Sequence, residues 1–105
     1  MTYSLSEALA IFRSHETELR ERGVTHAAVF GSVARGEAGA TSDVDILVDL
    51  DPERPIGVFG YAGIKLYIAE LFGLDTLDGP IDVVSRNNLK PRLRENILRE
   101  AVDAF

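Results

Sequence analysis

The sequence contains no cysteine. Disulfide bonds and thiolate metal sites are therefore excluded, and a reducing compartment suits the chain. Proline is scarce, with four residues in 105, and there is no internal repeat or tract of biased composition, so no disordered region is expected. No apolar stretch reaches membrane-spanning length. The first residues, Met-Thr-Tyr-Ser-Leu-Ser-Glu, lack the basic and apolar regions of a signal peptide, and the expected location is the cytoplasm. Basic side chains are outnumbered, 11 against 17 acidic, giving a net charge of −6. Direct binding of nucleic acid is not expected, because phosphate contacts need a clustered basic face. A small anion held through a metal is compatible with this balance.

What is present describes an ordinary globular chain, 46% hydrophobic and 27% charged, long enough for one core. We expect a single domain over residues 1–105. Ser4 to Arg22 has the spacing of one amphipathic helix, with Ser4 or Ser6 as its N-cap, Glu7 three residues after Ser4 as in a capping box, and Gly23 ending it. His15 falls on this helix with no partner histidine a turn away and reads as a surface residue. Val24 to Phe30 predicts a first strand, with His26 near its start and away from any site at its end. Val33 to Glu37 predicts a single helical turn. Asp43 to Leu50 predicts a second strand, apolar after Asp45 and buried on both faces.

Asp51-Pro-Glu-Arg-Pro marks a turn. Ile56 to Phe72 predicts a helix with Val58, Tyr61, Ile64, Ile68, Leu71 and Phe72 on one stripe, its start weakened by Gly57, Gly60 and Gly63. Leu74 to Pro80 reads as a loop containing Asp75 and Asp78. Ile81 to Ser85 predicts a third strand and Arg86-Asn-Asn-Leu a turn. Pro91 opens a last helix whose buried face would be Leu93, Ile97, Leu98, Ala101 and Val102. The expected fold is α/β, in the order α-β-α-β-α-β-α, with a mixed three-stranded sheet flanked by helices.

The chemistry-bearing stretch runs from Phe30 to Val48. Strand alternation sends Asp43 and Asp45 to the same face, and two carboxylates so close favour a divalent cation between them. Gly31-Ser32, where a strand turns into a helix, lets backbone amides approach an anion. Ten residues between Ser32 and Asp43 are too few for a parallel crossover, so the first two strands should be antiparallel neighbours. The thirty or so residues from Leu50 to Ile81 suit a right-handed parallel crossover, which brings Asp82 beside the start of the second strand. Three carboxylates from two strands, facing a phosphate-gripping turn, suit two-metal nucleotidyl transfer. Asp43, Asp45 and Asp82 are the candidate catalytic residues and ligands for two Mg²⁺ ions, with Mn²⁺ as the substitute. Asp82 would also receive the acceptor proton. Gly31, Ser32, Arg35 and Ser42 are the candidate nucleotide-binding residues, placed to grip a triphosphate tail. Arg35 can alternatively serve as a surface ion-pair partner of Glu37. The basic residues Arg86, Lys90, Arg92, Arg94 and Arg99 form a solvated helix face or a docking surface.

Phe-Gly-Ser-x-Ala-Arg-Gly, Ser-Asp-x-Asp-Ile-Leu-Val, Ile-Asp-Val-Val and Leu-Lys-Pro-x-Leu-Arg-Glu together resemble the DNA polymerase beta type nucleotidyltransferase superfamily. The likeness is strongest to its minimal nucleotidyltransferase (MNT) branch, similar to the antitoxins of HEPN/MNT toxin-antitoxin pairs. This resemblance implies a protein adenylyltransferase that moves AMP from ATP to a tyrosine of a HEPN ribonuclease toxin encoded nearby. It matches Gly31 and Ser32 to the nucleotide-binding turn and Asp43, Asp45 and Asp82 to the metal ligands. Val33 departs from the basic residue that many relatives carry after Gly-Ser. The small size suggests that a second protein supplies the acceptor side. Two alternatives stand beside this reading: a binding module that neutralises its partner by occlusion, and a small-molecule nucleotidyltransferase.

Overall fold

A computed structural model describes residues 3–37, 39, 43–74 and 80–105. Helix α1 (Leu5–Ser14) starts at the predicted capping box: Ser4 Oγ accepts from the Glu7 amide at 3.1 Å, and Glu7 accepts from the Ser4 amide at 2.9 Å. Replacing Ser4 with alanine should cost about 1 kcal/mol, read as a lower urea midpoint at unchanged slope. The single long helix expected up to Arg22 is two helices. At His15 the amide turns to Phe12 O at 3.2 Å, while the ring Nδ1 lies 2.9 Å from Ile11 O, the carbonyl an unbroken helix would have given to that amide. Helix α2 (Glu16–Glu21) follows after His15, whose backbone leaves the helical region at φ −119°, and ends before Gly23, whose φ of +104° suits only glycine comfortably.

Strand β1 (Val24–Phe30) has the expected bounds. It passes directly into α3 (Gly31–Arg35), which begins two residues earlier than predicted. Strand β2 (Val44–Leu50) pairs antiparallel with β1, with Phe30 opposite Asp45 and Val24 opposite Leu50. Helix α4 (Val58–Leu71) carries the chain back to β3 (Ile81–Ser85), which lies parallel to β2. These two pairings are those the connector lengths required. Ile64, Ile68 and Phe72 are buried as expected, but Val58 belongs to no apolar stripe: it is 83% exposed, beside Phe59 at 92%.

The C-terminal segment corrects the three-stranded expectation. A 3-10 turn (Arg86–Asn88) precedes α5 (Pro91–Glu100), which ends before Ala101. Val102–Asp103 forms β4, antiparallel to β1, so the sheet has four strands in the order β3-β2-β1-β4. Val102 thus completes an edge of the sheet and not a helix face, and Leu93, expected inside, is 48% exposed.

The two sheet faces are unequally covered. Val44, Ile46 and Val48 look toward α1, α2 and α4, where Phe12, Leu19, Ile68 and Phe72 build the main core. Tyr3 caps that core edge-on to Phe72, centroids 4.9 Å apart, and donates its hydroxyl to Phe72 O at 2.7 Å. On the other face Ala28, Phe30 and Leu47 meet, among the described hydrophobic residues, Val84, Leu89, Ile97, Leu98 and Ala101. Alternation along β2 puts Asp45 and Asp49 on this thinly covered face, one at either end of Leu47. Among the described residues no helix is long and apolar enough to cross a membrane.

Candidate active site

The site lies where β1 ends, β2 begins and β3 begins. Phe30 keeps extended dihedrals, and Gly31 turns the chain into α3 with a φ of +74°. A side chain at Gly31 is barred twice over. The left-handed backbone disfavours it, and a Cβ there would overlap Asp45 Oδ2 and stand 3.3 Å from Asp45 Cβ. The absent side chain is therefore what lets the Asp45 carboxylate press against the strand-to-helix turn.

Asp45 and Asp82 are register partners on the parallel strands β2 and β3. Side chains at such partners leave the same face, so the two carboxylates stand side by side on the α5 face. Asp43 sits just before β2 and is exposed, as is Asp82, while Asp45 is half-buried. The consequence appears in Asp45, whose carboxyl is pushed up to about 6, first by burial and then by the negative charges of Asp82, Asp43 and Glu100. Arg35 opposes the shift.

As placed, no group of three His, Asp or Glu side chains among the described residues could hold a metal ion. The donor set nonetheless suits a hard divalent cation: all donors are carboxylate oxygens, and the half-buried Asp45 is the group whose charge such an ion would relieve most.

Of the predicted nucleotide-binding residues, Gly31 and Ser32 open α3 beside Asp45. Arg35 lies one turn on. Its Nε donates to Glu37 Oε2 at 3.0 Å, the ion pair that stood as the alternative to a nucleotide contact, and its Nη1 donates to Glu100 Oε2 at 2.9 Å. Ser42 lies outside the described residues, as do Asp75 and Asp78. His26, set aside as a catalytic residue, is remote from the turn: Nε2 is 3.0 Å from Asp103 Oδ1 and Nδ1 is 3.4 Å from Asp49 Oδ2. Of the basic residues near the C-terminus, Arg86 is tied to Asp49 at 2.7 Å and Arg99 reaches Glu95 at 3.4 Å.

Sequence reasoning missed Glu100. Its Oε1 accepts the Gly31 amide at 3.1 Å, which is the first free N–H of α3. Nothing local marks this residue, since it becomes part of the site only because α5 folds back across the sheet.

A glycine-opened turn against one of several clustered aspartates is the framework of a nucleotidyltransferase, and the chain belongs to that family. The nucleotidyltransferase domain family matches residues 12–104. The protein adenylyltransferase MntA of Thermococcus cleftensis is 41% identical over 100 residues, covering 94% of each chain. A solved structure assigned as a minimal nucleotidyltransferase is 37% identical, with a TM-score of 0.74 and 95% of each chain covered. The fold also resembles that of a chain in the complex of the tri-AMPylated Shewanella oneidensis HEPN toxin with MNT antitoxin. There the TM-score is 0.59 at 14% identity, over 92% of this chain and 71% of that one.

Proposed function

We propose that this nucleotidyltransferase is a protein adenylyltransferase and antitoxin, transferring AMP from ATP to a tyrosine hydroxyl of a HEPN-type ribonuclease encoded beside it. The observation that carries the reading is the pairing of Asp45 with Asp82 across β2 and β3, hard against the Gly31 turn. The relationship to MntA, a protein adenylyltransferase, supports the choice of nucleotide and of a protein acceptor. The complex of a HEPN toxin with an MNT antitoxin supports the class of partner.

In this reading Gly31 and Ser32 bind the triphosphate through the amides and hydroxyl at the start of α3, and Arg35 adds positive charge where pyrophosphate develops. Asp43, Asp45 and Asp82 would hold two Mg²⁺ ions, whose charge would supply polarisation of the α-phosphate and acidification of the acceptor hydroxyl. The hydroxyl oxygen forms a bond to the α-phosphorus as the bond to the pyrophosphate oxygen breaks, and Asp82 accepts the hydroxyl proton. Asp43 and Asp82 are exposed, so a folded protein can bring a tyrosine to them.

The test is incubation of the protein with labelled ATP, Mg²⁺ and the neighbouring HEPN-type protein. Label should pass to a tyrosine of that partner and vanish with Asp43→Ala. A second reading, occlusion without transfer, draws on the Glu100 carboxylate already seated on the Gly31 amide. Neutralisation of the partner that survives Asp43→Ala, with no label transferred, would favour it.

A further inference from the structure

Glu100 is the last residue of α5, and its placement is unfavourable for that helix: a carboxylate in the final turn faces the negative end of the helix dipole. Two contacts oppose this cost, and both belong to the turn assigned to the triphosphate. Oε1 accepts the Gly31 amide at 3.1 Å and Oε2 accepts Arg35 Nη1 at 2.9 Å. Glu100 thus presents two anionic oxygens, one to a backbone N–H and one to a guanidinium, as a phosphate would.

We propose that Glu100 is an internal anion that occupies the phosphate position of this turn while no nucleotide is present, and that a nucleoside triphosphate must displace it to bind. The inference rests on the nucleotide reading of the site and adds to it a device that sets affinity. The Gly31 amide and Arg35 cannot give the same hydrogens to Glu100 and to a phosphate oxygen at once. A triphosphate carries more charge than one carboxylate, and the Arg35–Glu100 pair is only partly shielded, with side-chain exposures of 45% and 29%, so exchange is feasible. Helix α5 keeps its seat on the sheet through Ile97 and Leu98 when Glu100 lets go.

The sign of the effect separates this role from a structural one. If Glu100 merely braces α3, removing it loosens the turn and weakens nucleotide binding. If it is a competitor, Glu100→Ala binds Mg²⁺ with a non-hydrolysable ATP analogue more tightly, by about fivefold to twentyfold, the range that one charge-assisted hydrogen bond and a part-exposed ion pair span. Glu100→Gln keeps an acceptor for the Gly31 amide but loses the charge, and should fall between. With the HEPN-type acceptor present, the change should appear as a lower KM for ATP, not as a change of kcat.

Titration calorimetry on the wild type and both variants, with thermal unfolding to establish that each is folded, decides the matter. Unchanged or weaker binding in folded Glu100→Ala and Glu100→Gln, while the wild type binds, overturns the proposal and leaves the nucleotide reading intact. A fall in kcat with no change in KM overturns it as well, because Glu100 would then act in the chemistry. Failure of all three folded proteins to bind the analogue overturns the nucleotide reading and this inference together.

Discussion

Asp45→Asn should make the metal-free protein more stable at neutral pH while abolishing nucleotidyl transfer. The carboxyl of Asp45 is raised from 3.8 to about 6 by burial and by its acidic neighbours. A folded-state pKa above the unfolded value means that the fold prefers the protonated acid. The corresponding stability is present in full below about pH 4 and is lost as pH rises through about 6, so above that an ionised Asp45 is a net cost. A shift of this size converts to at most about 3 kcal/mol. Solvent reaches the half-buried side chain, and after screening the expected gain from asparagine at pH 7.5 is on the order of 1–2 kcal/mol. Urea unfolding in chelator at pH 4 and pH 7.5 checks the sign: near-equal midpoints at the lower pH, and a higher midpoint for Asp45→Asn at the upper. An asparagine variant less stable than wild type at pH 7.5 would contradict the electrostatic account. Adding Mg²⁺ should stabilise the wild type, because an ion that binds only the folded state raises its stability, and should do much less for Asp45→Asn.

Gly31→Ala should be among the most damaging single substitutions in the chain. The φ of +74° costs an L-residue about 1–2 kcal/mol by itself. The new Cβ would also overlap the Asp45 carboxylate, which has the Phe30 backbone on one side and Asp82 on the other. We expect a total loss of about 2–4 kcal/mol of stability. Transfer should fall by roughly a hundredfold or more even where the variant is folded, since a displacement of about 1 Å at a reacting constellation has that effect. Thermal unfolding and the labelled-ATP assay measure the two losses. The contrast with Asp45→Asn is diagnostic, as one variant gains stability and the other loses it while both lose activity.

The parts of this arrangement that were legible in the sequence are those set by local pattern and chain length. The β1 and β3 boundaries follow from apolar runs closed by Gly31 and opened by Pro80. The pairing of Asp45 with Asp82 follows from two connector lengths, one too short for a crossover and one suited to it. The features that escaped are tertiary. Ala101 and Val102 continue the helical spacing of Ile97 and Leu98, and only the exposed edge of β1 turns Val102 into a strand residue. The break at His15 arises from one amide choosing Phe12 over Ile11. Leu93 fits the α5 stripe, yet α5 packs on the sheet through Ile97 and Leu98 and leaves Leu93 exposed. Glu100 carries no motif, and its role depends on a helix end meeting a turn 69 residues earlier in the chain.

The relation between the carboxylates and the turn is open to one decisive measurement: a crystal structure of the protein with Mg²⁺ and a non-hydrolysable ATP analogue. The account predicts metal ions bridging Asp43, Asp45 and Asp82, the triphosphate on the Gly31 and Ser32 amides, and Glu100 released from Gly31. A triphosphate bound away from that turn, or metal ions that leave Asp45 and Asp82 uncoordinated, would contradict it.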